Sequence, residues 1–226
     1  MLPIGDDRVE GGPAPAITVG LIVLNVLAFF LELSQPNEGA LQSFIQAWGV
    51  VPREYILARD VPPTIPLPFW TTLVTSMFLH GGWLHLGGNM LYLWIFGDNL
   101  EKVLGNVRFL FFYLVCGVAA GLAHIAFSGA SNVPTVGASG AISGVLGGYL
   151  VLFPHNRVRV LTQGGIVALP AIAVLGFWIL IQLVNGVGSL GVTTETGGVA
   201  YMAHVGGFVS GLLLAKLLAS KRAALS

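Results

Sequence analysis

The chain reads as an all-α integral membrane protein of six spanning helices with both termini on the inner side. Three observations carry this reading: the composition, six apolar runs of spanning length, and the placement of the basic residues. Of 226 residues, 55% are hydrophobic and 9% charged, and the mean hydropathy is +0.83, far from the balance of a soluble domain. Ten Lys and Arg offset ten Asp and Glu. Without a basic excess or cluster, nucleic acid is not an expected partner. A lone cysteine, Cys116, excludes an intrachain disulfide and a cysteine-built metal site.

A membrane-crossing helix needs about 20 mostly apolar residues. Runs near that length fall at 16–33, 80–99, 108–127, 137–153, 165–186 and 199–219. The first follows Asp6, Asp7, Arg8 and Glu10 rather than a basic n-region, and it exceeds the length of an h-region. It therefore reads as a retained anchor, neither a signal peptide nor a mitochondrial presequence, and a prokaryotic plasma membrane is the expected location. Residues 1–226 form one expected membrane domain, with a short tail over 1–15, an external loop over 34–68 and a short tail over 220–226. Within that loop Leu41, Phe44, Ile45 and Trp48 recur at helical spacing before Val51-Pro52, the pattern of a short amphipathic helix lying in the interface or of a covering loop. Prolines 62, 63, 66 and 68 then hold the chain extended before Trp70.

Asp98, Asn99 and Glu101 are expected to cap or end the second span. In the third, His124 is expected to bond within the bundle, and His155 falls in a basic inner loop. With the N-terminus inside, Arg8, Lys102, Arg108, Arg157, Arg159, Lys216, Lys221 and Arg222 all lie on the inner side, and only Arg53 and Arg59 lie outside. Eight against two supports six spans with both termini inside, since an odd number would put the C-terminal cluster on the opposite face.

Three polar groups interrupt the apolar runs. Gly137-Ala138-Ser139-Gly140 opens the fourth span, and a serine there has a backbone N–H in the helix's first turn, free to donate to an oxyanion. Gly140, Gly144 and Gly148 also make a small-xxx-small face that packing alone explains. Packing does not explain His204 in the sixth span, among Ala200, Ala203, Gly206, Gly207 and Gly211. An ionisable group at membrane depth is costly and faces a partner or a polar cavity. Small residues around both Ser139 and His204 allow the helices to approach within hydrogen-bond reach. In the second span His85 and Asn89 are four apart and share a helix face, a pair able to donate to a developing oxyanion. His80 and His85, five apart in the second span and without a thiolate or carboxylate, diverge around the helix and make a poor metal site.

Gly137-Ala138-Ser139-Gly140, Ala203-His204 with its following glycines, and His85-x-x-x-Asn89, in this order on these spans, resemble the rhomboid family of intramembrane serine proteases. The resemblance covers nearly the whole chain and matches the family's basic six-helix form. It implies a serine endopeptidase using a Ser-His dyad, with Ser139 as nucleophile and His204 as general base. His85, Asn89 and the Ser139 N–H would bind the oxyanion, and Gly137 would let the preceding loop dip into the membrane. Substrates would be transmembrane segments of other proteins with small or helix-weakening residues near the cleaved bond, met within the bilayer, and no cofactor or metal is implied. Phe177 and Trp178 in the fifth span would stand at a lateral gate for substrate. Two positions depart from the family pattern. An aromatic residue that packs on the histidine is replaced by Ser143, leaving Tyr201 or another residue to hold the imidazole, and the Trp-Arg dipeptide of the first external loop is here Trp48-Gly49, with Arg53 further on.

Two other function classes also suit a polytopic, glycine-rich chain. A catalytically inactive rhomboid-like binder of membrane proteins would generally lack the serine or the histidine. A small secondary transporter would ordinarily show internal repeats and an intramembrane relay, and apart from Glu32 these spans hold almost no acids.

Overall fold

The computed structural model describes residues 2–189 and 200–219. The expected tail 220–226, with Lys221 and Arg222, and the first residue of the sixth run lie outside the described residues. In chain order the elements are β1 (Leu2–Asp6), α1 (Ala16–Leu33), α2 (Glu38–Trp48), α3 (Pro52–Leu57), the short α4 (Thr72–Thr75), α5 (Trp83–Leu104), α6 (Asn106–Ser128), α7 (Ser139–Leu152), β2 (Arg157–Thr162), β3 (Gly165–Pro170), α8 (Ala171–Ser189) and α9 (Tyr201–Leu218). The chain is a multi-pass membrane protein: α1, α6, α9 and Ala171–Gly188 of α8 are each long and apolar enough to cross a bilayer. Helix α5 has 22 residues but carries Asp98, Glu101 and Lys102, and α7 is apolar over only 14.

The expectation of an all-α chain needs correction. Strands β1, β2 and β3 form an antiparallel sheet in that order, with Leu2 opposite Leu161 and Arg157 opposite Pro170. The fifth apolar run was expected from 165, yet residues 165–170 are strand and the helix begins at Ala171. A two-residue link between Thr162 and Gly165, whose φ is +108°, folds β2 onto β3 before Pro170 ends the pairing.

The bundle is organised around α7, where every residue from Gly140 to Tyr149 is buried. Its small-xxx-small face packs on α6: a Cβ on Gly140 would press on Ala120, on Gly144 on Cys116, and on Gly148 on the Phe112 ring. Two more glycines bring α9 onto α7 at backbone distance. A Cβ on Gly207 would overlap the Gly140 carbonyl oxygen, and one on Gly211 the Gly144 carbonyl oxygen. Lipid supplies no hydrophobic force between helices, so this close van der Waals packing holds the pair together.

Contacts sort the connections onto two ends of the bundle. At one end β1 pairs with β2, Asn99 Nδ2 donates to Asp6 Oδ2 (2.8 Å), and the Val9 N–H donates to Asn99 Oδ1 (2.8 Å). Here Glu101 does not cap its own helix. Its carboxylate accepts from the Ile17 and Thr18 N–H groups (2.8 Å each) and from the Thr18 hydroxyl (2.7 Å), so α5 caps the start of α1. Asp98 lies 3.5 Å from Lys102, and α5 runs on to Leu104. At the other end, of the two alternatives for 41–48, a short amphipathic helix or a covering loop, the helix forms as α2, its N-terminus capped by the Asn37 side chain accepting from Ala40 N–H (2.9 Å). There Val50 bridges Thr135, and the Arg53 N–H donates to the Ser131 carbonyl (3.1 Å). The α2–α3 segment thus braces the stretch that leads into Ser139.

Candidate active site

Ser139 is the first residue of α7, and the turn before it explains its position. Gly137 has φ +128°, and its N–H donates to the Ser76 carbonyl (2.8 Å). A Cβ at Gly137 would come within 2.8 Å of the His85 ring, so only glycine lets this backbone pass. The helical ladder begins with the Ile142 N–H donating to the Ala138 carbonyl (2.9 Å), which leaves the Ser139 N–H ahead of it.

His204 lies within the first turn of α9, its N–H donating to the Ala200 carbonyl (3.2 Å). The backbone contact at Gly207, one turn on, sets its helix against α7 and brings Nε2 to 2.9 Å from Ser139 Oγ. The other ring nitrogen, Nδ1, is 2.8 Å from Oε1 of Gln182 on α8. An amide oxygen only accepts, so Nδ1 carries the proton and Nε2 keeps a lone pair facing the serine hydroxyl. Such an imidazole can take the proton of a hydroxyl as it attacks a carbonyl.

The place expected to hold an aromatic ring works differently. The Ser143 hydroxyl donates to the Ser139 carbonyl (2.6 Å) on its own helix. Trp178 of α8 instead lies over the imidazole, with ring centroids 5.8 Å apart and planes at 38°, and Phe208 lies on the indole in turn (6.2 Å). The residue set against His204 is therefore Trp178, not Tyr201.

His85 and Asn89 reach the site from α5. His85 Nδ1 accepts from the Gly81 N–H (3.3 Å), which leaves Nε2 protonated and on the side of Gly137. Asn89 is only 7% exposed, and its Nδ2 has no hydrogen-bond partner among the described residues. An orphaned buried donor is costly unless something else accepts from it. It lines, with Ser139, His85, His204 and Trp178, a cavity of about 280 Å³ whose other walls include Leu84, Ile142 and Leu146. At about 30 Å³ per water this holds several waters, or part of an extended peptide.

His80 departs from expectation. It precedes α5, because Gly81 and Gly82 delay the helix start, and its ring sits edge-on to His85 with centroids 5.1 Å apart rather than diverging from it. Its backbone N–H donates to Glu32 Oε1 (2.9 Å), so the one acid within α1 anchors the loop behind His85. His124 bonds the Ser128 and Thr135 hydroxyls (3.1 and 2.6 Å), and so ties α6 to the stretch ahead of Ser139. Arg53 Nη1 donates to Asn132 Oδ1 (3.3 Å), and the Trp48 carbonyl accepts from the Thr75 hydroxyl (2.7 Å). Gln182 is the site residue the sequence reading passed over. Its signal was an amide inside an apolar run, four residues from Trp178.

Known proteins of similar sequence share one family description. A family model described as the rhomboid domain matches residues 68–221. Rhomboid protease GluP of Bacillus subtilis is 31% identical over 92% of this chain and 36% of its own length. Rhomboid protein 1, mitochondrial, of Saccharomyces cerevisiae is 28% identical over 75% of the chain and 45% of its own length. The putative rhomboid protease YdcA of Bacillus subtilis is 32% identical over 68% of the chain and 69% of its own length. The chain thus spans under half the length of the first two.

Proposed function

Because the chain belongs to the rhomboid family, we propose that it is an intramembrane serine endopeptidase that cleaves transmembrane segments of other proteins. In this reading six helices (α1, α5, α6, α7, α8 and α9) cross the bilayer, and the end that holds the sheet faces the cytoplasm with the basic residues. The site then opens toward the outer face, where the water that hydrolysis consumes can enter a polar cavity.

Ser139 is the nucleophile. As its Oγ attacks the scissile carbonyl carbon, its proton passes to His204 Nε2, and the carbonyl oxygen becomes an oxyanion. Asn89 Nδ2, His85 Nε2 and the Ser139 N–H are the donors for that charge, and Gly137 gives the backbone room to present the last of them. Collapse expels the amine, which takes the proton from His204. Water then attacks the acyl-serine, giving its proton to His204, and collapse breaks the ester bond so that the acid product leaves and Ser139 Oγ takes the proton back from His204. Preorganised donors in a site shielded from bulk solvent need no reorientation at the moment of reaction, which is where most of the rate comes from.

The observation that carries this reading is the 2.9 Å approach of His204 Nε2 to Ser139 Oγ inside a cavity that also holds an unpartnered Asn89 amide. The test is labelling of detergent-solubilised protein with a fluorophosphonate probe. Wild type is expected to label, and Ser139→Ala and His204→Ala are not. Failure of folded wild type to label would overturn the protease reading in favour of a non-proteolytic rhomboid-like binder.

A further inference from the structure

A serine-histidine pair leaves one question to the surrounding protein: what holds the imidazole in the right tautomer. Where a carboxylate does this, the far ring nitrogen is both oriented and electrostatically supported. Among the described residues no carboxylate bonds the imidazole of His204. Of the titratable groups among the described residues, those near enough to act on His204 are His85 from α5 and His124 from α6, neither of which bonds Nδ1.

Gln182 bonds Nδ1 at 2.8 Å and is itself only 8% exposed. Trp178 and Gln182 are four apart on α8, so one helix turn presents a ring to the imidazole face and an amide oxygen to its edge. The vacancy left by Ser143 on α7 is made good from α8. A neutral amide suits the setting, because it fixes the tautomer without burying an ion at membrane depth. It also gives weaker support to the imidazolium than a carboxylate would.

We propose that Gln182 is a positioning residue for this site. It holds the Nδ1–H tautomer and the ring orientation of His204, and so keeps Nε2 available to the Ser139 hydroxyl. The proposal rests on the protease reading above.

The test compares wild type, Gln182→Met and Gln182→Glu in micelles, with three readouts: the pH profile of fluorophosphonate labelling, kcat and KM on a model transmembrane peptide, and thermal stability. Methionine keeps the length of the side chain but not the acceptor. Gln182→Met is expected to label and turn over about ten- to hundredfold more slowly, the consequence of losing one buried hydrogen bond, with KM nearly unchanged. Gln182→Glu is expected to keep a substantial rate and to move the acid limb of the profile upward by about one pH unit, because a carboxylate at Nδ1 favours the imidazolium. A purely structural glutamine would change the folded fraction and leave both the rate per folded site and the limb where they are. Wild-type labelling with an unchanged rate in Gln182→Met, or an unmoved limb in Gln182→Glu should Gln182→Met not fold, overturns this inference alone. Absence of labelling in folded wild type overturns the protease reading and the inference with it.

Discussion

Replacing Gly207 by alanine tests whether the contact between α7 and α9 sets the chemistry. The new Cβ would overlap the carbonyl oxygen of Gly140. To reach ordinary contact distance the two backbones must separate by roughly 1 Å or more. Gly207 is one turn from His204, and Gly140 is next to Ser139, so the strain falls directly on the pair. A 2.9 Å bond lengthened by that amount leaves hydrogen-bond range. A misplacement of about 1 Å at a reacting centre costs on the order of 10²-fold in rate, and overpacking costs about 1–3 kcal/mol in stability. The assay is the fluorophosphonate labelling rate per folded molecule, with thermal unfolding in the same detergent. Gly20→Ala on α1, where none of the described residues lies within 4 Å of the added carbon, is the control and is expected to label at the wild-type rate. Wild-type labelling by Gly207→Ala would refute the reasoning, since the dyad would then be held by something other than this contact.

Asn89→Ala is expected to lower kcat by about 10²–10³-fold with little change in stability, measured on a model transmembrane peptide. Glu101→Ala leaves the Ile17 and Thr18 N–H groups without their acceptor and is expected to destabilise the fold by about 2–4 kcal/mol, read by thermal unfolding. Burial pushes the Asp6 carboxyl up to about 6, despite hydrogen bonds from Tyr149 and Asn99. The folded state therefore holds this proton more tightly than the unfolded chain does, so stability is expected to fall as pH rises from about 4 to 6 and then to level off. Asp6→Asn, a stand-in for the protonated acid, should remove that dependence in a thermal-stability series across this range.

Much of the bundle was legible because hydropathy reports membrane exposure directly: α1, α6, α7 and α9 begin and end within two residues of their apolar runs, whereas α5 ends five residues later than its run and α8 begins six residues later than its run. The sheet was not. Ile166, Val167 and Leu169 flow without a polar break into Ala171, so a strand and a helix merged into one apolar run, although Gly164-Gly165 and Pro170 bracket the strand. Strand β1 pairs with residues more than 150 positions away, a partner no local pattern announces. At the site, Ser139 and His204 were legible because a hydroxyl and an imidazole stand out against apolar sequence. His80 was misplaced by treating its spacing to His85 as helical, when Gly81-Gly82 mark a start. Gln182 escaped because its partner is on another helix, and because the family pattern puts the support for the imidazole at position 143 on α7.

The glycine contacts between α7 and α9 have a consequence for how this site can change over time. Where two main chains touch, the spacing between them is not negotiated by side chains. The distance from Ser139 to His204 therefore behaves like a ruler cut into the backbone, insensitive to what the lipid-facing residues become. Leu213 and Leu217, both well exposed, can drift with the thickness or composition of the host membrane while the ruler keeps its length. On the protease reading, variation in substrate preference is then free to accumulate at Leu84, a cavity residue that is almost fully exposed, whereas Ile142 and Leu146 are held by the core around α7.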